Sequence, residues 1–232
     1  MCLTSPSPPQ TTEHLTRSTH PQLGCGTALP TLVLFHYALT QSLPLYFTLS
    51  DYNASVLRLV TLPNLLLTFC AALPDATSSP FSAGFPNPLH TSPTGDLDIT
   101  PGLLNAFTST LAQQSLIITL ISGSWRPTEL FLPLVATAPE MNTLVLASET
   151  IYSPASLESF TEALVGILEC VRMGKAMVAA KRVYFGVGGS VDGFKEEAAR
   201  RKAVAYEIEN TGLEEELRGP GVRRCLMEVQ MM

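Results

Sequence analysis

Charge is scarce over the first half of this chain of 232 residues. Residues 1–125 hold seven Asp, Glu, Lys or Arg, residues 126–232 hold twenty-seven, and none lies between Gly24 and Leu49. The net charge is −6 and no basic stripe exists. Such a surface cannot release counterions from phosphates, which excludes direct nucleic-acid binding. The five cysteines, Cys2, Cys25, Cys70, Cys170 and Cys225, form no C-x-x-C pair, and the four histidines lack ligand spacing. They read as reduced, mostly buried thiols in an intracellular chain without a metal. The uncharged stretch is interrupted by Pro30, Pro44 and Thr40-Gln41-Ser42, with no Lys/Arg cluster beside it. It therefore reads as buried core and not as a membrane span. The first twenty residues lack the basic start and apolar centre of a secretory signal. Residues 1–21, rich in Ser, Thr and Pro, read as a disordered or atypical tail ahead of one domain over 22–232. A Pro/Ser/Gly-rich stretch at about 74–96 reads as an insertion in that domain.

What is present is an alternation of strand and helix patterns. LGCGTALPTLVLFHYALTQ turns into a helix, and PLYFTLSDYN is a strand ending in an acid. Residues 54–73 are helical with Pro63 as a kink or break, and Thr100 and Ser153 each cap a helix that opens with proline. SLIITLISGSW reads as a fully buried strand; NTLVLASETIY and KAMVAAKRVYF are two more. VAYEIEN and RRCLMEVQM alternate in period two, as a closing antiparallel hairpin does. Repeated strand–helix alternation implies an α/β fold, a mostly parallel sheet covered on both faces. Ligands of such sheets sit beyond the carboxyl ends of the strands, at the switch point. The informative residues are then Gly24–Ala28, Asp51–Asn53, Gly123–Trp125, Ser148–Tyr152 and Tyr184–Gly189.

Gly24 and Gly26 permit a tight turn and close approach to a ligand, and the next helix offers free N–H groups. Asp51, 25 residues after Gly26, suits two ribose hydroxyls; it equally suits a helix cap. The third glycine of a dinucleotide fingerprint is missing, which favours S-adenosylmethionine, a donor without a pyrophosphate. Trp125, the single tryptophan, fits a pocket wall or a core position equally. Glu149 ends an apolar strand, where an acid is costly unless it faces a cleft or a partner such as Lys181 or Arg182. Tyr152 packs under Pro154 or faces the cleft. Tyr184–Gly189 reads as a turn and, with no Lys-Ser/Thr after it, not as a phosphate loop.

LGCGTALP, SDYNASVLRLVTLPN, ISGSW, LASETIYSP and AAKRVYFGVGGSV together resemble the seven-strand methyltransferases that act on protein side chains. The blocks YFGVGG and DYN…VTLPN bring the chain nearest to protein-histidine methyltransferases that modify a ribosomal protein. The resemblance runs over about residues 22–232. It implies a Rossmann-like sheet and S-adenosylmethionine as methyl donor. It implies that Gly24, Gly26 and Thr27 line the methionine part, that Asp51 holds the ribose, and that Tyr52 and Asn53 lie beside the adenosine. Gly123, Ser124 and Trp125 border the adenine, with Ser148 at the end of strand four. Glu149 and Tyr152 form an E-x-x-Y motif facing the target, and Tyr184–Gly189 shape the entrance. The implied partner is a protein, a large-subunit ribosomal protein, met by a monomer in the cytoplasm or nucleus.

The amino end departs from that pattern. An apolar run ending in an acid is replaced by Arg17-Ser18-Thr19-His20-Pro21-Gln22. Pro21 cannot donate to a central ladder, so strand one is expected to be shortened and the sheet's centre underpaired. Gln22 stands where an acid would face the donor's charged end. The resemblance also implies a tryptophan-containing element upstream that lies over the donor, and the expectation is that it is missing here. Weak or absent donor binding is the expectation, and two alternatives stay open: an inactive relative acting as a protein-binding module, and a lysine or small-molecule methyltransferase of the same fold.

Overall fold

The computed structural model describes residues 18–73, 87, 89, 94–208 and 224–232. Seven strands form one sheet: β1 (Ser18–Leu23), β2 (Leu45–Asp51), β3 (Ile117–Ser122), β4 (Asn142–Ser148), β5 (Met173–Lys181), β6 (Ala203–Glu207) and β7 (Arg224–Met231). Their order is β3-β2-β1-β4-β5-β7-β6. Neighbours run parallel except that β7 lies antiparallel between β5 and β6. The anticipated mostly parallel sheet with a reversed carboxyl-terminal pair is therefore found.

The central strand forms despite its composition. Ser18–Leu23 pairs with β2 at every residue. Its register with β4 is interrupted at His20 and Pro21 and resumes at Gln22. Proline removes one N–H, so the damage is confined to the one side to which that N–H would point. Burial of Thr19, Gln22 and Leu23 on the two faces holds the rest in line. The expectation of an underpaired centre is corrected here, and Ser18–Pro21 belong to the sheet and not to a tail. Residues 1–17 and most of the 74–96 insertion lie outside the described residues. Within the insertion, Asn87 is buried and its Nδ2 donates to the Cys70 carbonyl at 2.7 Å.

The helices lie where the caps place them. They are α1 (Leu29–Gln41), α2 (Ala54–Val56), α3 (Leu62–Ala72), α4 (Pro101–Gln113), α5 (Thr128–Phe131), α6 (Pro154–Glu169) and α7 (Val191–Arg200). Thr100 Oγ1 accepts from the Leu103 N–H, and Ser153 Oγ from the Ser156 N–H, capping α4 and α6. A π turn, Leu57–Thr61, joins α2 to α3 and leads into Leu62-Pro63, so the proline opens a helix instead of kinking one. By length and composition the run Ala54–Ala72 is apolar enough to cross a bilayer. In this fold Leu65, Leu66, Phe69 and Cys70 from it are buried in the core.

Two cores form. One gathers Phe35, Phe47, Leu49, Phe69 and Phe107 beneath α1, α3 and α4. The other gathers Val145, Val178, Phe160, Phe194 and Met227 beneath α6 and α7. β3 was expected to be fully buried. It is an edge strand, and Ile117 and Leu120 on it are exposed. Apolar composition alone does not distinguish a central strand from an edge.

Candidate active site

The glycine turn sits between β1 and α1, at the carboxyl edge where strand order reverses between β1 and β4. Gly24 and Gly26 have φ of +65° and +52°. A Cβ on Gly24 would lie 2.9 Å from the Thr150 methyl. A Cβ on Gly26 or on Gly123 (φ +118°) would meet no protein atom within 4 Å, so both glycines open onto free space.

Asp51 ties this turn to the end of β2. Its Oδ2 accepts from the Gly26 N–H at 2.9 Å, and its Oδ1 from the Asn53 N–H at 3.0 Å. Its backbone oxygen accepts from the Gly123 N–H at 3.0 Å. Three strand ends are thereby joined at one carboxylate residue. A carboxylate has about four acceptor sites, so capacity remains for ribose hydroxyls. The helix cap is Asn53 itself, whose Oδ1 accepts from the Ser55 N–H.

Two residues that the sequence reading left unassigned fix the turn from the other side. Thr61 Oγ1 donates to the Gly26 carbonyl at 2.7 Å, and Asn64 Nδ2 donates to the Thr27 carbonyl at 2.9 Å. The signal was the VTLPN block, in which the π turn shifts Thr61 toward the loop. Burial pushes the neighbouring Cys25 thiol up to about 11, so it stays protonated.

Trp125 resolves as a support beneath the turn. Its Nε1 donates to Ser50 Oγ at 3.0 Å, its ring lies 5.8 Å from that of Phe160, and its edge lies 3.8 Å from a Cβ at Gly24. Gln22 does not face the open edge. It is 2 % exposed, and its Oε1 accepts from the Thr31 hydroxyl at 2.6 Å and the Thr31 N–H at 3.3 Å. The amide that stands in place of an acid is thus spent on the first turn of α1.

Across the switch point, Ser148 is exposed at the end of β4, and Glu149 follows with φ +58°. A non-glycine residue held there costs conformational energy, as it does at Ala28, Ser42, Ser115 and Lys202. The Glu149 carboxylate faces Lys181 Nζ at 3.9 Å and Arg224 Nε at 3.6 Å. Arg182, the other partner considered, turns instead to Glu207. Burial, then the Glu149 carboxylate, push the Tyr184 phenol up to about 12. Tyr152 is half exposed.

The Tyr184–Gly189 loop docks on the E-x-x-Y segment. The Gly189 N–H donates to the Tyr152 carbonyl at 3.1 Å. A Cβ there would stand 2.0 Å from the Ile151 oxygen, so glycine is required by close approach. The structure therefore gathers Gly24, Gly26, Asp51, Gly123 and Trp125 into one unit, and Glu149 and Tyr152 into another. Thr27 and Asn53 lie exposed on the rim of the first. An open depression of about 420 Å³ lies at the opposite, amino edge, between Ser18, Leu144 and Lys175.

No family model matches the chain. It is 39 % identical over 180 residues to histidine protein methyltransferase 1 of Saccharomyces cerevisiae, covering 75 % of this chain and 47 % of the relative. It is 34 % identical over 200 residues to the protein of that name in Schizosaccharomyces pombe, covering 82 % and 54 %. The chain is thus similar to the histidine protein methyltransferases over most of its length, on a sheet of the seven-strand methyltransferase type. It spans about half the length of the curated relatives it matches. Among solved structures, the DszA carbon methyltransferase aligns over 95 % of this chain and 48 % of its own, with a TM-score of 0.52 at 7 % identity. That likeness supports the fold.

Proposed function

We propose that the chain transfers a methyl group from S-adenosylmethionine to a ring nitrogen of a protein histidine. The observation that carries this reading is the joined turn: Asp51 bound to the Gly26 N–H, at the switch point, with open space over Gly26 and Gly123. The names of the similar proteins support the histidine target. The resemblance of the motifs supports a large-subunit ribosomal protein as the substrate, and a monomer acting in the cytoplasm or nucleus.

When bound, the sulfonium donor supplies an electrophilic methyl group. Asp51 accepts the ribose hydroxyls, and the turn's free N–H groups at the start of α1 receive the carboxylate of the methionine part. Above about pH 6.5 a free imidazole is neutral and has one nitrogen lone pair to offer. Glu149 accepts the N–H of the other ring nitrogen and so aims that lone pair. The carboxylate would also stabilise the positive charge that develops on the ring as the N–C bond forms and the S–C bond breaks, which leaves the donor as a neutral thioether. The ring proton then leaves to water, so no strong base is needed.

Gln22 favours a second reading. A neutral amide already committed to Thr31 gives the donor's ammonium no counter-charge, which suits a weakly binding or inactive relative that serves as a protein-binding module. Calorimetric titration with S-adenosylmethionine, and mass spectrometry of a ribosomal protein fraction after incubation with it, separate the two. Binding with a +14 Da histidine supports transfer; no binding supports the module.

A further inference from the structure

We propose that Phe185 and Val187 anchor an extended segment of the substrate protein, with an apolar side chain flanking the target histidine and an acidic residue beyond it. This rests on the transferase reading above. Phe185 is 85 % exposed and Val187 51 % exposed, although phenylalanine and valine are usually inside. The turn that displays them is built to stay rigid. The Tyr184 N–H donates to the Gly189 carbonyl at 2.9 Å, and the Val187 and Gly188 N–H groups both donate to the Tyr184 carbonyl, at 3.3 and 3.1 Å. Gly186 and Gly188, with φ of +77° and +89°, turn the chain between them. Tyr184 roots the turn in the core, and its hydroxyl accepts from the Lys181 N–H. Two apolar side chains are thus held in water on a fixed support, so little ordering entropy remains to be lost when a partner covers them. That is the condition under which a small apolar anchor contributes strongly to binding.

Position and charge identify the occupant. Phe185 follows Tyr184, whose ring lies 5.7 Å from Lys181 Nζ, itself 3.9 Å from the Glu149 carboxylate, so the anchor begins close to the group that would hold the target imidazole. An extended segment with its histidine at Glu149 carries the neighbouring side chains toward this turn, at about 3.3 Å per residue. Lys181 and Arg224 share the single Glu149 carboxylate. Among the described residues this leaves one positive charge in excess at the mouth, and an acidic residue on the incoming segment complements it.

The test uses the 232-residue chain, S-adenosylmethionine and two kinds of acceptor. One is a set of short peptides with a central histidine, its flanks varied among apolar, acidic, basic and glycine residues. The other is N-acetylhistidine methylamide, which is too small to reach the turn. The wild-type chain is expected to prefer apolar and acidic flanks. Phe185→Ala is expected to lower, about tenfold or more, the ratio of kcat/KM for the preferred peptide to that for the small acceptor. A merely structural role for Phe185 changes both acceptors alike and leaves the ratio intact, which overturns the inference alone. Transfer by the wild-type chain without any flank preference also overturns it. No transfer to either acceptor overturns the transferase reading, and this inference with it.

Discussion

The two halves of the sheet are stabilised by different means. Over β2 and β1 both faces are buried, with Thr19, Leu23 and Thr48 on one side and Gln22, Phe47 and Leu49 on the other. Over β4, β5 and β7 only one face is sealed. Val145, Ala147, Val178, Ala180, Met227 and Val229 are buried on it, while the facing positions Leu144, Leu146, Met177, Ala179, Leu226 and Glu228 are only partly covered. No helix among the described residues packs on that second face. It carries ion pairs instead: Lys175 with Glu228 at 3.0 Å, and Glu149 between Lys181 and Arg224. The scarcity of charge before residue 126 and its abundance afterwards express this contrast. The site divides in the same way. The donor-side residues come from the ends of β1, β2 and β3, and the target-side residues from the ends of β4 and β5.

The largest effect expected from this contrast concerns coverage. Phe160→Ala removes a ring packed between Trp125 and Phe194, each 5.8 Å away, and should cost about 3–5 kcal/mol in urea denaturation. Met177→Ala, on the half-covered face, should cost about 1 kcal/mol or less. Equal losses would erase the distinction between the faces.

The division of the site gives the next effect. Asp51→Ala removes a carboxylate that would hold two hydroxyls, and S-adenosylmethionine affinity should fall by about 1.5–3 kcal/mol in calorimetry. Glu149→Gln, on the target side, should leave that affinity unchanged. A donor that weakens equally in both variants would show that the two sets of residues form a single site.

Thr61→Val sharpens the donor side further. It deletes the hydroxyl that holds the Gly26 carbonyl, with little change in volume. Donor binding should weaken by about 1 kcal/mol. The melting temperature should fall with it, because the loop carbonyl loses its partner.

The smallest effect is set by acid. Arg182, then Lys195, hold the Glu207 carboxyl below its ordinary value. The Tyr206 hydroxyl and then Lys175 do the same for Glu228. Each folded-state pKa is depressed. The stability they contribute is therefore full above the unfolded value near 4.5 and is lost as pH falls through the folded value. Hydrogen exchange followed on acidification should show β5, β6 and β7 opening before β1, β2 and β3. The reverse order would mean that these pairs contribute nothing local.

Much of this was legible from residue pattern. The mostly parallel sheet with its antiparallel carboxyl-terminal hairpin, the caps at Thr100 and Ser153, and the placing of Gly26 and Asp51 just after their strands follow from periodicity, turn residues and spacing. Pro21 misled because its chemistry is local, whereas a strand with neighbours on both sides is held by long-range pairing that one missing N–H does not undo. β3 misled because an edge and a centre can share one composition. Thr61 and Asn64 were hidden because a π turn changes which residues face a loop, and that change has no period of its own. Gln22 shows the opposite case: the substitution was visible, but its turn toward Thr31 is a matter of packing.

The contact at Gly189 has a mechanical consequence. Its backbone lies against Ile151 and Tyr152 too closely for any larger residue, so the β4 and β5 loops act as a single clasp. For one of them to swing aside while the other stays, the Gly189 N–H must give up the Tyr152 carbonyl. On the transferase reading, a methylated segment would leave either by sliding out past a closed clasp or when both loops move as one body. The faster of these two routes would set a ceiling on turnover that no improvement in the chemical step can raise.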